Sequence, residues 1–265
     1  MRLPAWFSSF VFVGLVACAG SSGGPGAQEP ERQAEAEYDI ARDLWLRRQQ
    51  PREALDHVLK AIELDEENAE AAHLAALIYL DFCSRGPSDC RLPEAEQHAR
   101  RALELKPDFR EARNTLGVVL IHEKKAKEAV QVLKPLTEDI LYPTPENAWG
   151  NLGWAYLDLG RLDEAIDALK RSIAAQPLFC VGHLRLGTAY ERKNEIAPAR
   201  DAFTQALETQ APGCNALQDA YAGRARTQMK AGDLDAARAD LERCVELSKK
   251  TPAGKECGSM LGKLK

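Results

Sequence analysis

The residues of this chain that could do chemistry are led by seven cysteines, Cys18, Cys83, Cys90, Cys180, Cys214, Cys244 and Cys257. Their odd number leaves one thiol over or gives one a separate task. None forms a C-x2-C pair or lies beside a spaced histidine pair, so no metal site is expected. The five histidines, His57, His73, His98, His122 and His183, are scattered along the chain, and His98 reads as a packing residue. Nucleophile-elbow, zinc-protease, phosphate-loop and dinucleotide motifs are missing. The carboxylates, for example Asp163-Glu164 and Asp233, read as solvated helix faces and first-turn acids. No catalytic residue is therefore assigned and no cofactor is expected.

The charge balance bounds the partners. The chain has 35 basic and 40 acidic residues, a net charge of -5. Nucleic-acid binding needs a basic face, so that class is excluded. A mean hydropathy of -0.37 excludes a polytopic membrane protein. With 28% charged and 6% aromatic residues, the composition suits helices better than a sandwich or barrel.

Cys18 stands apart. One positive charge, Arg2, precedes a short apolar run that ends in small residues before Cys18. This reads as a secretory signal, too short to span a bilayer at roughly 20 apolar residues. Leu15-Val16-Ala17-Cys18 resembles the lipobox of bacterial lipoproteins. That resemblance implies removal of residues 1–17, a diacylglycerol on the Cys18 thiol and acylation of the new amine. Several acyl chains anchor stably where one does not. Residues 18–33, rich in Gly, Ser and Pro, read as a flexible tether. Ala19 in place of Asp implies sorting to the outer membrane, on its periplasmic face.

The elements that carry the other cysteines come from a period of about 34 residues. Trp149-x2-Leu152-Gly153-x2-Tyr156 is followed by Ala165, Leu169, Ser172 and Pro177. One period later come Leu186-Gly187-x2-Tyr190, Ala199, Phe203, Ala206 and Pro212. These spacings resemble the tetratricopeptide repeat, a pair of antiparallel helices, A and B. Small residues at 153, 165, 187 and 199 let A and B approach closely, and Pro177 stops helix B. Weaker copies extend both ways. The helix-B alanines fall at 54, 95, 129, 165, 199 and 237, which locates a seven-residue insertion at Cys83–Cys90. The expected fold is all-α, a right-handed α-solenoid of six repeats at about 34–67, 69–108, 110–143, 146–179, 180–213 and 218–250, capped by 251–265.

Export permits disulfides. Neighbour pairing is the simplest of the fifteen connectivities open to six cysteines. Cys83 with Cys90 would pin the insertion, and Cys244 with Cys257 would tie the tail to the last B helix. Cys180 and Cys214 sit at equivalent places one period apart, bridgeable only if the loop at 211–216 bends inward.

In tetratricopeptide arrays the A helices line a concave groove. The ninth and twelfth repeat positions are Asp43 and Leu46, Leu77 and Leu80, Val118 and Ile121, Trp154 and Leu157, Thr188 and Glu191, and Arg226 and Met229. The groove thus reads as apolar through repeats two to four and polar in five and six. The expected partner-binding residues are Leu46, Leu77, Leu80, Val118, Ile121, Trp154 and Leu157, with Trp154 foremost and His73, His122 and Asn114 on the rim. An apolar stripe suits an amphipathic helix or an extended apolar segment of a protein partner. The competing reading makes these side chains core.

A lipobox followed by six repeats resembles the pilotin family of type IV pilus lipoproteins. The resemblance implies a monomer, anchored to the outer membrane through lipid, that binds a secretin subunit and promotes its assembly and insertion. The rival reading is an adaptor that scaffolds peptidoglycan enzymes, as other repeat lipoproteins do.

Overall fold

The structure, a computed structural model, describes residues 28–85 and 88–264. Cys18, the signal and residues 18–27 of the expected tether lie outside the described residues. The described residues form thirteen α-helices, one 3-10 turn and no strand. Repeat one pairs α1 (Gln28–Leu46) with α2 (Pro51–Leu64), and repeat two pairs α3 (Ala69–Arg85) with α4 (Leu92–Leu105). Repeat three pairs α5 (Arg110–His122) with α6 (Ala126–Thr137), and repeat four pairs α7 (Pro145–Asp158) with α8 (Leu162–Ala175). Repeat five pairs α9 (Cys180–Arg192) with α10 (Ile196–Glu208), and repeat six pairs α11 (Gln218–Ala231) with α12 (Leu234–Leu247). The last helix is α13 (Pro252–Lys263).

Close approach within each pair explains the small residues. The six helix-B alanines, Ala54, Ala95, Ala129, Ala165, Ala199 and Ala237, are all fully buried. A Cβ on Gly153 would lie 2.6 Å from Leu169, and one on Gly187 2.6 Å from Phe203. Five of the six A-to-B turns pass through one left-handed residue: Gln49 (φ 55°), Lys124 (φ 63°), Gly160 (φ 71°), Asn194 (φ 61°) and Gly232 (φ 85°). Glycine takes that conformation freely and asparagine tolerates it, whereas Lys124 is strained. Helices α4, α8 and α10 stop ahead of Pro107, Pro177 and Pro212, whereas Pro135 lies inside the last turn of α6. Gln176, before Pro177, is extended (φ -141°, ψ 94°), as a residue preceding proline must be.

One boundary differs from expectation. Helix α1 starts at Gln28, six residues inside the expected tether, and Ala34 is fully buried. Glu29 and Glu31 favour a helix N-terminus, and Pro30 is tolerated in a first turn because its missing N–H would be unpaired there. The tail forms helix α13, which packs on α11 and α12 and takes the place of a next A helix. Thr251 caps α13 by accepting from Gly254 N, and its hydroxyl donates to Gln218 Oε1 at 2.7 Å. Gln218 Nε2 in turn donates to Cys244 O and Ser248 O.

The six cysteines are joined as Cys83–Cys90, Cys180–Cys214 and Cys244–Cys257, with Cα separations of 4.1, 5.8 and 6.2 Å. The middle bridge is reached because Gly213 (φ 82°) leads into the 3-10 turn Cys214–Ala216, which carries Cys214 back toward the start of α9.

Candidate binding groove

Each A helix touches the next one, from α1 through α3, α5, α7, α9 and α11 to α13. They form the inner wall of the solenoid. Leu77 and Leu80 on α3, Val118 on α5 and Trp154 on α7 lie along this wall. Leu77, Leu80, Val118 and Trp154 are all half-buried there. Leu46 is 61% exposed at the end of α1. Two expected groove residues are corrected. Ile121 is fully buried and Leu157 is 3% exposed. Ile121 packs with Leu116, Ala129 and Leu152, and Leu157 with Ala165, Leu186 and Ala189. In repeats three and four the twelfth-position side chain thus fills the seam between repeats, whereas Leu46 and Leu80, at the same position of repeats one and two, stay outside the buried core.

The wall carries a polar ladder that ninth and twelfth positions do not reveal. Asn151 Nδ2 donates to Asn114 Oδ1 at 3.0 Å, and Arg185 Nη1 donates to Asn151 Oδ1 and Gly150 O, each at 3.0 Å. Arg185 also lies over the Trp154 ring, 4.4 Å from its centroid, and His122 meets that ring edge-on at 5.0 Å. Burial draws Arg185 down to about 10. Burial, helped by Lys124 and Arg185, holds His122 below the usual histidine range. Asn114 and His122 therefore do stand beside the stripe. His73 instead donates from Nε2 to Thr115 Oγ1 at 2.9 Å, because the Thr115 hydroxyl proton is committed to Glu111 O. His98 stacks on Tyr79, at 5.7 Å between centroids.

Repeats five and six are polar, and part of their charge is internally matched. Arg226 forms a two-pronged pair with Glu191 at 2.8 Å and a third bond to Glu256 of α13 at 2.7 Å. A cavity of about 450 Å³ opens here, and its lining includes Trp154, Arg185, Arg192, Asp219 and Glu256. Burial and Glu256 push the Asp219 carboxyl up. Among the described residues, no cluster of His, Cys, Asp and Glu is grouped to hold a metal ion.

Tetratricopeptide-repeat profiles match residues 91–139, 146–177 and 218–251. The fold is a tetratricopeptide-repeat solenoid. Among characterised proteins, the chain is 27% identical over 217 residues to the type IV pilus assembly protein PilF of Pseudomonas aeruginosa, covering 77% of this chain and 81% of that one. Among solved structures it is similar to PilW, described as a widely conserved type IV pilus biogenesis factor. The TM-score is 0.70 at 23% identity, over 86% of this chain and 98% of that one. The structure of Pseudomonas aeruginosa pilF superposes with a TM-score of 0.66 at 19% identity, over 87% of this chain and 99% of that one. The two structural likenesses speak for the tetratricopeptide fold alone.

Proposed function

We propose that this protein is a non-catalytic scaffold of type IV pilus assembly and works as a pilotin. Lipid on Cys18 holds the repeats at the periplasmic face of the outer membrane. The groove captures an apolar segment of a secretin subunit, shields it from aggregation and promotes ring assembly and insertion. The observation that carries this reading is the similarity to PilF, which runs over 77% of this chain and 81% of that one. The stripe of Leu77, Leu80, Val118 and Trp154 supports a protein ligand, since a concave apolar wall suits a partner's helix or extended segment. The Leu15-Val16-Ala17-Cys18 sequence supports the anchor.

The test is a secretin pull-down by the full-length protein and by a Leu80→Asp, Trp154→Asp double variant. Capture by the first and loss in the second is expected. Equal capture by a folded double variant sinks the groove assignment. Normal secretin multimers in a strain lacking the protein sink the pilotin assignment. Radiolabelled palmitate should appear in the wild type and not in Cys18→Ala.

A further inference from the structure

Resting on the reading of the groove as a protein-binding surface, we propose that its repeat-five end is a carboxylate site. The bound segment presents one Asp or Glu side chain to Arg185 and Arg192, beside apolar residues that lie along Trp154, Val118 and Leu80.

The argument starts from how the arginines of this region are satisfied. Arg226 has Glu191 and Glu256, and Arg224 has Asp240 at 2.7 and 2.6 Å. Arg185 and Arg192 differ. Arg185 Nη1 donates only to the neutral Gly150 O and Asn151 Oδ1, and Arg192 Nη1 only to Leu157 O at 2.8 Å. Among the described residues no carboxylate pairs with either, and their Nε and Nη2 atoms bond no protein acceptor. Both guanidiniums line the 450 Å³ cavity that continues the apolar stripe.

Preorganisation favours the same ligand. Asn151 and Gly150 fix one nitrogen of Arg185, and Trp154 supports its flat face. The rigid fork of a guanidinium matches a carboxylate through two parallel bonds. Burial already disfavours the Arg185 charge, so a carboxylate would restore what desolvation removed. The other acids of the cavity limit the ligand. Asp158 is taken by Lys124 at 3.1 Å, and Glu256 by Arg226. Among the described residues Asp219 faces the cavity without an ion pair, and it disfavours a run of acids. The site thus selects a single acid flanked by apolar residues, with the apolar part toward α3 and the acid toward α9.

A phage-displayed library of random peptides, panned over the full chain, tests this. The expected selection is peptides with one Asp or Glu next to Leu, Ile or Phe. A selected peptide should bind the Arg185→Gln protein roughly tenfold more weakly, as should its Glu→Gln version the wild type. Combining the two changes should add little, because both remove one interaction. Arg192→Gln, at an exposed position, should weaken binding in the same sense and guards against misfolding of the Arg185 variant. Selection of acid-free apolar peptides, or equal binding of acidic peptides by both arginine variants, overturns the site. Secretin capture that persists alongside acid-free selection overturns this inference and leaves the proposed function standing. Acid-selective binding together with normal secretin multimers in a deletion strain does the reverse.

Discussion

The guanidinium of Arg185 covers the indole of Trp154 at 4.4 Å while its Nη1 is held by Asn151 Oδ1. The aromatic residue of the groove is therefore part of a fixed stack, with His122 against its edge. One face and one edge are spent within the protein, and the ring also packs against the core cluster that contains Leu116, Leu120 and Leu152.

The stack predicts a graded response at position 154. Trp154→Phe keeps a weaker aromatic face under Arg185 and should cost only about 1 kcal/mol or less, since Trp is the better cation–π partner of the two. Trp154→Ala also removes packing against His122 and should cost about 2–3 kcal/mol, below the range for a fully buried aromatic because Trp154 is half-buried. Urea unfolding measures both. Equal losses for Phe and Ala would show that the stack contributes nothing.

His73 predicts a pH dependence. Burial holds it at about 4, below its ordinary 6.5, while Glu111 and Glu70 pull weakly the other way. Between those values the unfolded chain binds a proton that the folded chain refuses. The stabilisation is complete above pH 6.5 and is lost as pH falls through about 4. The shift corresponds to about 3 kcal/mol. His73→Phe should reduce the pH dependence of stability across this window by about that amount, leaving the slope of His98, His122 and His183, which burial also lowers. An unchanged profile in His73→Phe would remove the assignment.

The repeat was legible because close approach admits few residues at Gly153, Ala165, Gly187 and Ala199. The apolar ninth positions were legible for the same reason of period. The twelfth was not, because Ile121 and Leu157 are as apolar as Leu46 and Leu80 at the same position of other repeats, yet they alone fill the seam. Arg185 was missed because its meaning lies in partners that only the fold supplies, namely neutral oxygens on α7 and no carboxylate among the described residues. The start of α1 was missed because the Gly- and Pro-rich composition before it runs on into Gln-Glu-Pro, which serves equally well as a helix's first turn.

Two glycines should respond in opposite directions to alanine. A Cβ on Gly187 meets the Phe203 ring at 2.6 Å, and the ring has little room to shift because its tip already lies 2.4 Å from an ideal Cβ on Gly223. Gly187→Ala should therefore cost about 1–3 kcal/mol, the usual range for overpacking. Gly262 lies in α13 with nothing within 4 Å of its Cβ position. Gly262→Ala should gain about 0.5–1 kcal/mol from helix propensity alone. Thermal melts of the two variants check the signs, and a stabilised Gly187→Ala would contradict the packing account.

The bridge between Cys244 and Cys257 should act locally. Both cysteines are fully buried, and the bond ties α13 to α12 across a separation of 13 residues. Loop-closure entropy makes that worth about 3 kcal/mol, against about 2.5 kcal/mol for the shorter Cys83–Cys90 loop. In a solenoid each repeat contacts only its neighbours, so the two losses should fall in different places. A Cys244→Ala, Cys257→Ala variant should speed amide exchange in α11, α12 and α13 and leave α1 to α4 unchanged. A Cys83→Ala, Cys90→Ala variant should loosen α3 and α4 and spare α13. Exchange measured by mass spectrometry separates these patterns. A uniform rise along all six repeats in the first variant would mean that the array unfolds as one unit and that α13 is no local cap.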